Sequence, residues 1–101
     1  MKPIVIHSEA QKEIDATFEF YEGKRPDLGF EFVEEVERAI KLFQQLPKLH
    51  PRLSTTEYRR CVLKRFPYLI FYREMDDAVR VMAVAHAKRK PGYWLDRVVE
   101  D

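Results

Sequence analysis

The stretch that decides the fold runs from Tyr58 to Arg97 and reads YRRCVLKRFPYLIFYREMDDAVRVMAVAHAKRKPGYWLDR. Three segments of it are rich in β-branched and aromatic residues and are separated by proline or by acidic turn residues. This pattern predicts three consecutive strands that form an antiparallel meander. The three segments are Glu57–Arg65, Pro67–Glu74 and Val79–His86. The last is apolar at nearly every position, so we expect a central strand that is covered on both faces.

The N-terminal half predicts one short strand and two helices. Residues 3–7 are β-branched and indicate a strand, while Ser8 and Gln11 match the capping-box pattern of a helix start. Gly23 and Pro26 then separate two amphipathic helices, which a short connector would join into an antiparallel hairpin. Their apolar residues recur every three or four positions: Ala10, Ile14, Phe18 and Tyr21 in the first helix, and Phe32, Val36, Ile40 and Phe43 in the second.

The order of these elements predicts an α+β domain in which the helical hairpin packs on a four-stranded sheet. The expected order is β-α-α-β-β-β, with a short C-terminal helix that starts near Gly92. We expect residues 1–101 to form a single domain, because the chain is long enough for one core and too short for two.

Composition excludes several classes of protein. The chain is 46% hydrophobic and 35% charged, which is typical of a globular protein rather than a disordered one. No apolar run approaches the roughly 18 residues of a membrane helix, and no secretory signal begins the sequence, so we expect a cytoplasmic protein. The lone Cys61 agrees with a reducing compartment.

Charge is distributed unevenly between the two halves of the chain. Residues 1–50 carry seven Lys and Arg against ten Asp and Glu, whereas residues 51–101 carry eleven against seven. The second half is therefore the one suited to an anion, a nucleic acid or an acidic protein partner. Solvated surface charge would give the same counts.

The cations of the second predicted strand suggest a binding surface. Strand alternation would place Arg60 and Lys64 on one face, and Arg59 and Arg65 on the other. Arginine presents a rigid fork of donors that fits phosphate oxygens, so the strand could line a phosphate-binding groove. The same charges would also protect an edge strand from pairing with another chain.

A second group of candidate residues follows the last strand. His86 ends that strand, and Arg89 and Tyr93 come shortly after it. A histidine near neutral pKa beside cations and a tyrosine hydroxyl could move a proton at a ribose 2′-hydroxyl and stabilise a charged phosphorane. A histidine that only caps a strand end is the simpler interpretation. For Trp94, packing against the sheet is more ordinary than stacking on a nucleobase.

The sequence offers no sign of a metal or cofactor site. The three His and Cys61 lack ligand-type spacing, and there is no Gly-rich phosphate loop.

Two motifs resemble the RelE/ParE toxin superfamily, also called plasmid stabilisation proteins. They are R-F-P-Y-x-x-x-Y at Arg65 to Tyr72 and A-V-x-H-x-x-R-x-P-x-Y-W at Ala83 to Trp94. The resemblance extends over the whole chain. It implies a toxin of a type II toxin–antitoxin module that a cognate antitoxin wraps and neutralises, with growth arrest when the toxin is released.

The resemblance also implies two kinds of target. RelE-like members cut mRNA on the ribosome with Lys and Arg from the strands and a C-terminal Tyr or His, whereas ParE-like members bind DNA gyrase without nuclease chemistry. In this chain, Arg60 and Arg89 fall on cationic positions of the nuclease pattern, and Tyr93 lies close to the expected Tyr. Leu69 and Val62 stand where that pattern has an Arg and a Lys.

Three hypotheses of function follow. The first is a toxin that acts by binding a protein, with gyrase as the family's known target. The second is a ribosome-dependent mRNA endonuclease, and the third is a member that has lost its activity and only binds an antitoxin. The catalytic candidates in the second case are Arg60, Arg65, His86, Arg89 and Tyr93. We expect the antitoxin to lie partly on the helical hairpin, residues 8–46, and partly against the sheet.

Overall fold

Six elements of secondary structure follow one another in the predicted order. The computed structural model describes residues 1–100. The elements are β1 (Ile4–Ile6), α1 (Ser8–Lys24), α2 (Leu28–Gln45), β2 (Arg59–Val62), β3 (Tyr68–Glu74) and β4 (Val79–His86). The β-α-α-β-β-β order is thus confirmed, and α1 and β4 have the predicted limits.

The four strands form one mixed sheet with the order β1-β4-β3-β2. β3 pairs antiparallel with both β2 and β4, as the predicted meander requires, whereas β1 pairs parallel with β4. Seven of the eight residues of β4 are buried, because the strand has a neighbour on each side and is covered on both faces. Its prediction as a central strand is confirmed.

Both helices pack on one face of the sheet, which we call the helix face. Aromatic rings fill this core, and the rings of Phe43 and Tyr72 stack with centroids 3.8 Å apart. The helices approach each other closely at Gly29, where an added Cβ would lie 2.5 Å from the carbonyl oxygen of Phe18. The hairpin therefore requires glycine at this position.

The start of α1 is capped differently from the capping-box prediction. His7 is the N-cap, and its Nδ1 accepts the backbone N–H of Glu9 at 3.0 Å. The Nε2–H of the same ring then faces the carbonyl oxygen of Val98 at 3.0 Å. Ser8 instead lies in the first turn, where its hydroxyl donates to Glu100. An N-terminal residue of the helix is thus used to hold the C-terminal end of the chain.

The predicted C-terminal helix is wrong. Within residues 1–100, β4 is followed only by turns at residues 87–88 and 91–96 and by irregular backbone. Gly92 has a φ of 76°, and isolated hydrogen bonds join Leu95 N–H to Gly92 and Arg97 N–H to Trp94. A proline followed by a left-handed glycine interrupts the backbone ladder, and single i to i−3 bonds do not propagate a helix.

This C-terminal segment covers the second face of the sheet, which we call the pocket face. Trp94 is 1% exposed, with its ring stacked on Phe71 at 4.7 Å and edge-on to Tyr58 at 4.8 Å. The packing interpretation of Trp94 is confirmed. The turn therefore closes the pocket face through one large aromatic residue.

Candidate functional site

A pocket of about 350 Å³ opens on the pocket face, between the sheet and the C-terminal segment. We call it the sheet pocket. Its apolar lining comes from Leu53, Leu69, Phe71, Ala85, Trp94 and Leu95, and its cationic lining from Arg60, Arg89 and Lys90. A concave site that combines apolar surface with a few charged groups is typical of ligand-binding sites, so the sheet pocket is the candidate functional site.

Four of the five predicted site residues line this pocket. Arg60 reaches it from β2, His86 from the end of β4, and Arg89 and Tyr93 from the C-terminal segment. Because β2 and β4 flank β3, residues far apart in sequence meet on one side of the sheet. The sequence gives no direct sign of this meeting, which depends on the strand order.

Arg65 lies elsewhere. β2 ends at Val62, three residues earlier than predicted, because the buried carboxylate of Glu35 accepts the backbone N–H groups of Lys64 and Arg65 at 2.8 and 3.2 Å. These amides therefore bond to α2 rather than to a strand. The guanidinium of Arg65 forms an ion pair of 2.7 Å with Glu31, whose pKa is lowered by this bond and by one from Arg25.

Glu13 organises the other side of the pocket. Arg97 binds both of its carboxylate oxygens, at 3.0 and 2.9 Å, and the hydroxyl of Tyr93 donates to the same group. The backbone N–H of Val84 donates to it at 3.0 Å, and Arg89 lies 3.7 Å away. We call these five residues the Glu13 network.

The network determines the ionisation of its members. Burial would raise the pKa of Glu13, but the hydrogen bonds from Arg97, Tyr93 and Val84 outweigh it and lower that pKa. Burial, followed by the bond to Glu13, raises the pKa of Tyr93 to about 12. The carboxylate is therefore charged and the phenol neutral at physiological pH.

Sequence reasoning missed Glu13, which looked like one of many solvated charges on α1. A signal was present, because Glu13 falls among Ala10, Ile14 and Thr17 at helical spacing. These three neighbours are buried. A carboxylate on the inner stripe of a helix indicates a buried partner.

The aromatic rings near the pocket have little free surface. The guanidinium of Arg89 lies 3.7 Å from the centroid of Tyr93, and that of Arg97 lies 5.2 Å from it. The imidazole of His86 accepts the N–H of Lys88 through Nδ1 and packs edge-on against Tyr68, 5.2 Å away. His86 thus caps the end of its strand while it also lines the sheet pocket.

A second concave surface, the α2–β2 groove, lies beside β2, the edge strand of the sheet, on the helix side. It is lined by Arg38, Ala39, Leu42, Cys61, Val62 and Lys64, among others. Leu42 is 44% exposed and Val62 is 60% exposed. Leu46 and Leu49, at the end of α2, are also more than half exposed. Leu42 and Val62 therefore give the groove an exposed aliphatic lining, and Leu46 and Leu49 extend exposed aliphatic surface to the end of α2.

Two further properties concern residues 1–100. No three His, Cys, Asp or Glu side chains in this range come together in a way that could hold a metal ion. Neither described helix has the length and hydropathy required to cross a membrane.

Comparison with known proteins gives a family. The model of a family described as "ParE toxin of type II toxin-antitoxin system, parDE" matches residues 4–91. A solved structure described as the chromosomal ParDE TA system from P. aeruginosa superposes with a TM-score of 0.75 over 85% of this chain and 96% of that one. Their sequences are 18% identical, so this likeness concerns the fold alone. No curated protein matches the chain.

The family match spans all six elements of secondary structure and extends through His86 and Arg89 of the sheet pocket. The chain belongs to the ParE toxin family of type II toxin–antitoxin systems.

Proposed function

We propose that this toxin arrests growth by binding DNA gyrase, without cutting RNA, and that an antitoxin of the ParD type neutralises it. The family membership supports the toxin–antitoxin part of the proposal. The observation that carries the choice of protein binding over RNA cleavage is the engagement of Tyr93 and Arg89 by Glu13.

A nuclease needs a group that can accept the proton of the ribose 2′-hydroxyl. The hydroxyl of Tyr93 donates to Glu13, and a pKa of about 12 keeps the phenol protonated at neutral pH. A general base works best with a pKa near the working pH. Tyr93 is therefore poorly suited to that role, and Arg89 is partly neutralised by the same carboxylate.

The positions that depart from the nuclease pattern point the same way. Val62 and Leu69 are direct cross-strand partners, so their side chains are neighbours at the β2 edge of the sheet, where Leu69 lines the sheet pocket and Val62 lines the α2–β2 groove. The sheet thus presents a pair of aliphatic side chains where the nuclease pattern would put two cations. Such a surface favours an apolar contact with a protein over a charged contact with a phosphate.

The alternative of an mRNA endonuclease has one observation in its favour, which is that Arg60, His86 and Arg89 all line the sheet pocket. A purified full-length toxin separates the two functions. We expect it to inhibit DNA supercoiling by gyrase and to leave ribosome-bound mRNA intact in primer extension. Ribosome-dependent cuts that disappear in His86→Ala and Arg89→Ala would establish the nuclease instead.

A third outcome concerns a toxin that has lost its activity. If expression without antitoxin leaves growth normal and neither assay responds, the chain is an antitoxin-binding fold only. Inhibition of gyrase that disappears when purified antitoxin is added would support both parts of the proposal.

We further propose that the antitoxin lies along the α2–β2 groove and the adjoining end of α2. A tight, permanent partner needs a large and comparatively hydrophobic interface, and the exposed aliphatic residues Leu42, Leu46, Leu49 and Val62 supply one. β2 contributes to both concave surfaces, because Cys61 and Val62 line the groove while Arg60 lines the sheet pocket.

Hydrogen exchange tests this placement. Antitoxin binding should protect α2 and β2, and Leu42→Asp should weaken the complex. Phe20→Asp is a matched control, because Phe20 is also an exposed apolar residue of the hairpin but does not line the groove. Absence of protection anywhere in residues 8–46 would contradict the proposal.

A further inference from the structure

The sheet pocket has an apolar floor and a cationic rim. Leu69, Phe71, Ala85 and Trp94 form the floor, and Arg60, Arg89 and Lys90 contribute the positive charge. A volume of about 350 Å³ is at the lower end of the range for ligand sites. It can hold one bulky side chain, but it is too small for a folded element of a partner.

Two of the three cations of this rim have no acidic partner in the part of the chain that the structure describes. None of the side chains that line the pocket is acidic. Within residues 1–100, no carboxylate lies within ion-pair distance of Arg60 or Lys90, and Arg89 has Glu13 as its partner at 3.7 Å. The pocket therefore has the charge that attracts an acidic ligand.

The aromatic rings argue against a nucleic acid as that ligand. Recognition of single-stranded RNA depends on aromatic faces on which bases stack. Trp94 is 1% exposed between Phe71 and Tyr58, and Arg89 covers Tyr93. The pocket thus offers aliphatic and aromatic edges to a side chain rather than an open ring face to a base.

We propose that the sheet pocket binds an acidic segment of the protein that the toxin inhibits, with one bulky apolar side chain of that segment in the pocket. The carboxylates of the segment pair with Arg60, Arg89 and Lys90. This inference rests on the proposed function, because it assigns the pocket to a protein target.

The size of the pocket assigns it to the target rather than to the antitoxin. A stable interface buries about 800 Å² on each partner, and the α2–β2 groove with its exposed aliphatic neighbours is the surface suited to that. A single apolar anchor with a charged rim is typical of a smaller contact in which a few residues carry most of the affinity.

A synthetic peptide tests the chemistry of the pocket directly. The probe is acetyl-Glu-Asp-Trp-Asp-Glu-amide, titrated into the full-length ¹⁵N-labelled toxin. We expect amide shifts concentrated in residues 85–95. One control peptide replaces its Trp by Ala and another replaces all acidic residues by Lys, and each should bind at least about tenfold more weakly.

Three results of the titration would overturn the proposal. Shifts outside the pocket would show that the peptide binds elsewhere. If the alanine peptide bound as tightly as the probe, the apolar side chain would add no affinity, and binding would depend on charge alone. A ribo-oligonucleotide that displaced the peptide from residues 85–95 would assign the pocket to nucleic acid.

Matched surface variants separate charge, apolar contact and folding. Arg60→Glu reverses the charge of an exposed lining residue, and Lys41→Glu makes the same change on an exposed residue of α2. Leu95→Asp alters an apolar lining residue that is 45% exposed, and Val98→Asp alters one that is 77% exposed and outside the pocket. We expect the two pocket variants to lose at least about tenfold in peptide affinity and the two controls to stay within about twofold.

Growth arrest in cells identifies the source of the segment. Arg60→Glu and Leu95→Asp should relieve growth arrest while binding purified antitoxin as tightly as the unmodified toxin. If they lose antitoxin affinity as strongly as toxicity, the pocket belongs to the antitoxin, and if they remain fully toxic, the pocket has no part in toxicity. Either result overturns the inference.

Failure of the proposed function would look different. A toxin that arrests growth without inhibiting gyrase would remove gyrase as the target, while the peptide titration and the pocket variants would still decide the chemistry of the pocket. If the Arg60→Glu and Leu95→Asp variants inhibited gyrase as well as the unmodified toxin, the proposed function would stand. The assignment of the sheet pocket to the target would then be wrong.

Discussion

The helix face of the sheet is covered by two helices of 17 and 18 residues, and the pocket face is covered by a segment without regular secondary structure. On the helix face, many apolar side chains share the burial, and the rings of Phe43 and Tyr72 stack near its centre. On the pocket face, one buried tryptophan and a set of polar contacts, such as the pairing of Arg97 with Glu13, hold the covering segment. The first face is suited to stability and the second to a surface that a partner can use.

The largest effect should come from the helix face. Phe43→Ala removes a fully buried ring that stacks on Tyr72 and leaves a cavity in the core. We expect a loss of about 3–5 kcal/mol in the free energy of unfolding, measured by urea denaturation. A loss below about 1 kcal/mol would show that this face is not the main source of stability.

A smaller effect should come from the network on the pocket face. Glu13→Gln removes the charge that binds Arg97, and we expect a loss of about 2 kcal/mol, because hydrogen bonds to charged groups contribute about that much. The loss is limited because the C-terminal segment can detach and let Arg97 return to water.

Hydrogen exchange distinguishes this local release from global unfolding. In Glu13→Gln, the amide of Val84 and the turn at residues 91–97 should exchange faster, while amides of α2 should not. Glu9→Gln on the same helix is the matched control, since Glu9 is exposed. Equal acceleration in α2 would mean that the two faces unfold together.

Acid should weaken the cover of the pocket face. Since the pKa of Glu13 is lowered in the folded protein, the stabilisation by its network is complete above the ordinary value of 4.5 and is lost as the pH falls through the lowered pKa. The single tryptophan, Trp94, reports this change, so its fluorescence should shift below about pH 4.5, a value set by the unperturbed carboxyl.

Two variants assign that acid transition. Glu13→Gln should abolish it. Glu100→Gln should not, although the pKa of Glu100 is also lowered, by its bonds to Ser8. A transition that survives in Glu13→Gln would mean that another group holds the C-terminal segment.

The smallest effect is expected at Arg65. Its ion pair with Glu31 is on the surface, where the side chain of Arg65 is 55% exposed. Arg65→Ala should therefore change the free energy of unfolding by less than about 1 kcal/mol. A larger loss in urea denaturation would show that the loop between β2 and β3 depends on this pair as well as on Glu35.

Local patterns predicted most of the fold but less of the site. The limits of α1 and β4 follow from apolar residues and from the cap and turn residues beside them, signals that depend only on neighbours in the chain. The C-terminal turn could not be predicted in this way, because side chains from α1 and the sheet hold it. Arg97 lies 84 positions from Glu13, and no local pattern relates residues so far apart.

Contacts between residues far apart in sequence also decide where the candidate site residues lie. Arg60, His86, Arg89 and Tyr93 share a pocket because of the strand order, and Arg65 is diverted because Glu35 takes its backbone amide. The cations along β2 carry no information about this bond between the backbone of Arg65 and Glu35. A carboxylate such as Glu35 in the apolar stripe of α2 was the available clue, as Glu13 was in α1.

The position of β4 in the sheet has a consequence for biosynthesis. β4 is the last strand to be made, and it is the partner of β1 and β3 and the floor beneath α1. A chain that stops before Val79 has a helical hairpin whose apolar face has no central strand to cover it. A prematurely terminated translation product therefore cannot form the sheet pocket. Such a truncated chain is a substrate for proteolysis rather than a toxin of reduced activity.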